Sequence, residues 1–377
     1  MKFIPYGYQW TDEEDIKEVV NVLKSDWITT GPKIKEFEDK ICEYIGCKYG
    51  TAVNSGTSAL DIAVQTLDLP TGSKVITTPF TFVATSNAIL YNNLTPVFAD
   101  IKKETRNINP EEIRKKITDK TKAIIYVDYA GQPCDIKEIK EIADEHELYL
   151  IEDACHALGA EYRNKKIGNF GDMTIFSFHP VKHITTGEGG MVVTNNREFY
   201  NKLKMLRTHG IDKTAMDRFG SDASWAYDMK LLGRNYRITD FQCALGISQL
   251  NKLDNFIERR QCLADLYNEL LEDVDFIKTP ITKENVKHVW HIYTVLLDEN
   301  INRDNFFGHM RNNNIGVNIH YIPIYHFSYY REHFNFNPDD FPVTEKVFKK
   351  ITTLPLYPKM KDEDVRYVCD KIKNYVR

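Results

Sequence analysis

One lysine stands out chemically in the stretch Ser177-Phe-His-Pro-Val-Lys182-His-Ile-Thr-Thr-Gly-Glu-Gly-Gly190. The apolar run 173–178 before it reads as a buried strand, and a second apolar run, Met191-Val-Val-Thr194, follows the glycine-rich turn. A lysine carried to the desolvated end of a core strand loses its proton more readily and can form a Schiff base with a carbonyl. The competing reading is an ordinary lysine snorkelling from a strand end. Three other stretches invite the same kind of question. Asn54-Ser-Gly-Thr-Ser-Ala-Leu60 is a glycine turn opening a helix, where free N–H groups and the hydroxyls of Thr57 and Ser58 can hold a phosphate or simply cap the helix. Thr78-Pro-Phe-Thr-Phe-Val83 offers Phe82 either as a face for a planar ring or as plain core. An apolar strand ends in Glu152-Asp153, where Asp153 can meet a protonated ring nitrogen or cap a helix.

Each of these is ambiguous alone. Together they supply an amine, a phosphate cradle, a stacking face and a pyridinium partner, with Ser177 adding a further hydroxyl near the phosphate. Those are the parts that pyridoxal phosphate (PLP) requires, and one cofactor explains them better than four accidents.

The elements that must bring them together follow from periodicity. Residues 51–54, 74–78, 96–99, 123–127, 148–152 and 174–178 are apolar strand candidates, separated by helical patterns such as 136–146. Strands buried on both faces and joined by helical crossovers give an α/β domain with a mostly parallel sheet flanked by helices, and ligands bind beyond the carboxyl ends of such strands. From Thr239, an expected N-cap, one long helix runs toward Leu271. A strand over 289–297 and helices over 302–311 and 362–375 then predict a smaller α+β domain. The expected division is a large domain over 1–255, including the N-terminal segment, and a small one over 256–377.

The chain has 377 residues, 42% of them hydrophobic and 27% charged, which excludes disordered and fibrous classes. A net charge of −5 with mixed signs gives no footprint for nucleic acid. Seven scattered cysteines without CxxC pairs indicate neither a disulfide framework nor a metal site and read as reduced core residues. No apolar run approaches the roughly 20 residues of a membrane helix, and the N-terminus lacks a signal peptide, so a cytoplasmic enzyme is expected.

The sequence resembles the PLP-dependent nucleotide-sugar aminotransferases of the DegT/DnrJ/StrS type. The resemblance is carried by Trp27-Ile-Thr-Thr-Gly-Pro32, the Asn-Ser-Gly-Thr stretch, Glu152-Asp153, the Ser177 to Gly190 segment and Gly233-Arg-Asn-Tyr-Arg237. It implies a fold type I, aspartate aminotransferase-like architecture with an active site at a homodimer interface. It implies Lys182 as the Schiff-base lysine, Asp153 on the pyridine nitrogen and Phe82 stacked on the ring. His156 is implied near the ring hydroxyl, with Thr57, Ser58 and Ser177 on the phosphate and Asn235 reaching the neighbouring subunit's phosphate. Relatives that remove a sugar hydroxyl carry histidine in place of the lysine, and here Lys182 holds that position with His183 after it.

Tyr126-Val-Asp-Tyr-Ala-Gly131 and His320-Tyr-Ile-Pro-Ile-Tyr325 are similar to the pseudaminic-acid branch. That branch aminates C4 of a UDP-linked 4-keto-6-deoxy-N-acetylhexosamine from L-glutamate, and Thr30, His320 and Tyr321 are its candidate substrate contacts here. Another UDP- or dTDP-keto sugar and a non-catalytic sugar-nucleotide sensor of the same fold are the alternatives.

Overall fold

The computed structural model describes residues 2–213 and 225–375. The main sheet contains β1 (Tyr49–Val53), β2 (Lys74–Thr77), β3 (Thr95–Phe98), β4 (Thr121–Val127), β5 (Tyr149–Asp153), β6 (Met173–Ser177) and β7 (Gly190–Thr194). Their spatial order is β1-β7-β6-β5-β4-β2-β3. Only β7 runs antiparallel to its neighbours β1 and β6, so the sheet is mostly parallel, as expected.

Alternation along the strands sends neighbouring side chains to opposite faces. Ile76, Ile124 and Phe176 join one apolar cluster, while Val75, Ile125 and Ile175 join the other. Both faces are covered by helices. On one side α2 (Pro32–Ile45) contributes Phe37, Ile41 and Ile45, and α5 (Ile136–Glu145) adds Ile139. On the other, α3 (Gly56–Thr66) and α4 (Val83–Tyr91) contribute Leu60 and Ile89. The helix α1 (Glu13–Leu23) opens on an Asp12 capping box.

Thr239 caps its helix through a reciprocal bond with Gln242, as expected. The single long helix does not form, however. It divides into α6 (Asp240–Leu250) and α7 (Leu253–Leu271). At the break Lys252 Nζ reaches Asp12 and Asp15, and Gln249 Nε2 reaches Asp15 and the Trp10 carbonyl. Tertiary anchoring of the N-terminal segment thus overrides a continuous helical pattern.

A second core surrounds a three-stranded antiparallel sheet of β8 (Ile277–Lys278), β9 (Tyr293–Leu297) and β10 (Ile351–Leu354). It is completed by α8 (Arg303–Asn312) and α9 (Asp362–Lys373). The strand expected from residue 289 starts at Tyr293, because Val289 N and His291 N bond to the carbonyls of Gly131 and Ala130 instead. The division expected after residue 255 falls within α7. Leu253 and Ile257 pack in the first core, and Leu263, Tyr267 and Leu271 in the second. Ile4, from the segment grouped with the large domain, also packs in the second core.

Cys42, Cys134, Cys243 and Cys369 are buried, but Cys262 is exposed. No helix among the described residues is long and apolar enough to cross a membrane.

Candidate active site

A cavity of about 710 Å³ opens where the carboxyl ends of β5 and β6 and the β1–α3 turn meet the loop Asn318–Ile322, which is bridged to β10 through Asn318 and Thr353. It brings together Thr57, Phe82, Asp153, His156, Ser177 and Lys182. His320 and Tyr321 close it from the opposite side. A larger cavity of about 810 Å³ lies elsewhere, against Lys35 and Arg207, and holds none of these groups. Thr30 lines that second cavity, with φ at 57° and its hydroxyl donating to its neighbour's carbonyl. Within one chain it does not meet Lys182.

The phosphate-type cradle is built by close approach of three elements. A Cβ on Gly56 would stand 2.9 Å from Ser177 Cβ, and one on Gly190 would stand 2.4 Å from the Ser55 carbonyl oxygen. Glycine at both places lets the first turn of α3 sit directly on the ends of β6 and β7, with its positive dipole end toward the cavity. Thr57 and Ser177 line the cavity there. Ser58 does not, because its hydroxyl donates to Asn54 Oδ1 at 2.6 Å while its N–H donates to the Ser55 cap at 3.0 Å. Ser55 stands in the lining instead. The capping pattern was visible in the sequence, but which of two serines faces the cavity depends on that local pairing.

The adjacent acids of β5 part company because a strand alternates its faces. Glu152 is fully buried, receiving hydrogen bonds from Tyr126, Thr174 and Gly168 N at 3.0, 2.8 and 3.2 Å, and burial raises its carboxyl to about 7. Asp153 faces the cavity. Thr85 Oγ1 donates to its Oδ2 at 2.7 Å and Cys155 N to its Oδ1 at 3.3 Å, which fixes the plane of the carboxylate. Thr85, in the first turn of α4, was missed by sequence reasoning. Its only signal was its nearness to Phe82. Phe82 itself is 57% exposed at the N-cap of α4, so one ring face remains open to the cavity, and its centroid lies 6.3 Å from that of Tyr321.

Lys182 is half-buried, and its exposed part opens into the cavity. Burial lowers its pKa below that of an ordinary lysine, partly opposed by Asp153. Behind it stands a row of imidazoles. His156 and His291 have ring centroids 4.2 Å apart, and His291 and His183 have theirs 5.7 Å apart. Burial, with the lysine's charge adding to it, pushes all three well below the usual histidine range, so they are neutral. His156 Nδ1 accepts from Ala130 N–H at 3.3 Å, which leaves the proton on Nε2 to be donated to Tyr321 Oη at 3.0 Å. His183 Nε2 donates to the Val289 carbonyl at 2.9 Å, so it is a buttress rather than a second reactive group.

Asn235 is exposed, bridges to Thr208 and does not line this cavity. Among the described residues no group of three or more histidine, cysteine, aspartate or glutamate side chains could hold a metal ion.

An open aromatic face, a carboxylate with fixed orientation, an anion cradle shaped by two glycines and a desolvated amine fit the ring face, ring nitrogen, phosphate and carbonyl of PLP. Fold and site together define a PLP-dependent aminotransferase of fold type I. Over residues 9–373 the chain matches the DegT/DnrJ/EryC1/StrS aminotransferase family, and it belongs to that family. It is 47% identical to an uncharacterized protein of Methanocaldococcus jannaschii, over 99% of this chain and 98% of that one. It is 38% identical to the UDP-4-amino-4,6-dideoxy-N-acetyl-β-L-altrosamine transaminase of Campylobacter jejuni, over 98% and 96% of the two chains. Among solved structures it resembles Helicobacter pylori PseC, an aminotransferase involved in the biosynthesis of pseudaminic acid. That likeness has a TM-score of 0.93 and 34% identity, and it covers 99% of this chain and 98% of the other.

Proposed function

We propose that this sugar aminotransferase moves the amino group of L-glutamate to C4 of a UDP-linked 4-keto-6-deoxy-N-acetylhexosamine, giving UDP-4-amino-4,6-dideoxy-N-acetyl-β-L-altrosamine, and that it works as a cytoplasmic homodimer. The observation that carries the aminotransferase chemistry is the meeting of Lys182, Asp153 and the Gly56 cradle in one cavity. The likeness to the Campylobacter and Helicobacter enzymes supports the substrate. The exposure of Asn235 outside its own chain's cavity supports a role for it across a dimer interface.

Bound PLP supplies the electron sink that protein side chains lack. The chain does the rest. Lys182 Nζ, biased toward its neutral form by burial, takes the proton from the donor's α-carbon and later delivers one to C4 of the sugar. Asp153, held by Thr85, would keep a proton on the ring nitrogen. Thr57, Ser177 and the first turn of α3 would hold the phosphate. Phe82 would lie against one ring face, and Tyr321, accepting from His156, keeps its own hydroxyl proton available to a bound ligand.

The test is incubation with PLP, L-glutamate and a panel of UDP- and dTDP-linked 4-keto-6-deoxy sugars, with products read by mass. The expected product is a UDP-linked C4 amine. A dTDP preference would replace the substrate and keep the chemistry. Absence of amination throughout the panel would overturn the reading.

A further inference from the structure

The family match begins at residue 9, yet the segment before it is built into the site. Ile4 N donates to the Asn314 carbonyl at 2.9 Å, and Ile4 O accepts from Gly316 N at 2.7 Å. Tyr6 O accepts from Leu356 N at 3.1 Å. These bonds lay the segment along the chain leading into Asn318–Ile322 and deliver Tyr6 to the cavity wall. Its ring centroid lies 5.5 Å from that of His320. The next residue, Gly7, lies against Val181: a Cβ there would be 3.5 Å from Val181 Cγ1, one residue from Lys182.

Two features mark Tyr6 as a ligand contact rather than a packing residue. No hydrogen bond among the described residues engages its hydroxyl, and burial raises its pKa, so at neutral pH the phenol is an unused donor. The wall around it also has a defined chemistry. His320 is neutral, with its pKa lowered to about 3 by burial, and its Nδ1 is already paired with Thr353 Oγ1 at 2.8 Å. Among the described lining residues Lys182 is the only lysine or arginine. Aromatic rings with a few neutral polar groups beside an unpaired phenol suit the hydroxyls of a sugar.

We propose that Tyr6 is a specificity-determining residue for the amino acceptor, its hydroxyl donating a hydrogen bond to the sugar of the nucleotide substrate and not to glutamate. This rests on the sugar aminotransferase reading above. The experiment uses the full chain loaded with PLP, and compares Tyr6→Phe and Tyr6→Leu with the parent in two separated half-reactions: glutamate first, then the UDP-linked 4-keto-6-deoxy-N-acetylhexosamine. Tyr6→Phe is expected to change the glutamate half by less than about two-fold and to raise KM for the keto sugar about ten-fold with kcat nearly kept, the effect of one neutral hydrogen bond. Tyr6→Leu should lose more in the same half only. An unchanged KM for the sugar in Tyr6→Phe overturns the proposal, and so does an equal loss in both halves. A parent that deaminates glutamate but aminates no sugar defeats the substrate reading itself, and this inference falls with it.

Discussion

The two walls of the cavity are built on different principles. On one side Asp153, Ser177 and Lys182 sit at or just beyond strand ends, and Thr57 sits in the first turn of a helix pressed onto those ends by Gly56 and Gly190. On the other, Tyr6 and the Asn318–Ile322 loop belong to irregular segments tied down by a few backbone bonds to the second core. The first wall carries the residues that would hold the cofactor common to a whole class of enzymes, and its geometry follows from sheet topology. On the function proposed above the second chooses among sugars, and loops on a rigid scaffold can vary without disturbing the chemistry.

Substitutions on the two walls should therefore separate cleanly. Lys182→Ala is expected to lower turnover by roughly 10³-fold or more while thermal unfolding stays within a few degrees of the parent. Substantial residual transamination would remove the lysine from the centre of the mechanism. Asp153→Asn keeps an acceptor for Thr85 but removes the charge. PLP affinity, followed by fluorescence titration of the apoprotein, should fall roughly 10- to 100-fold, the range for a hydrogen bond to a charged group. An unaltered affinity would mean that the carboxylate does not meet the ring nitrogen.

A smaller effect belongs to the second wall and appears in stability. His320 titrates near 6.5 when unfolded and at about 3 when folded, because burial disfavours the cation. Below pH 6.5 the unfolded chain therefore takes up a proton that the folded one refuses, and stability drops as pH falls toward 3. His320→Gln should remove about 1 to 2 kcal/mol of the loss seen between pH 7 and 5 in urea unfolding. Parallel pH profiles for parent and variant would show that the imidazole is not buried in this way.

Legibility in the sequence follows the same division. Lys182, Asp153 and the glycine turn were readable because apolar strand patterns end beside them, and the α/β sheet turned out as the pattern required. Ser58 was expected to face the phosphate, but its hydroxyl serves Asn54, a choice that depends on side-chain direction within one turn. Thr85 gave no signal beyond its nearness to Phe82, since a threonine in a helix looks like any other until its partner on β5 is known. Tyr6 was invisible for a similar reason. Its position depends on pairing between residues 4 and 315, and no local pattern encodes a contact that distant. The break between α6 and α7 has the same origin, a tertiary anchor from Lys252 to Asp12 and Asp15.

The most direct test of the site is chemical. The purified protein is saturated with PLP, reduced with borohydride, digested and mapped by mass spectrometry, so that any lysine bonded to the cofactor's carbonyl carries a permanent phosphopyridoxyl group. The expected result is one modified peptide, with the label on Lys182. Label on a different lysine, or none at all under saturating PLP, would contradict the assignment of Lys182 as the reacting amine.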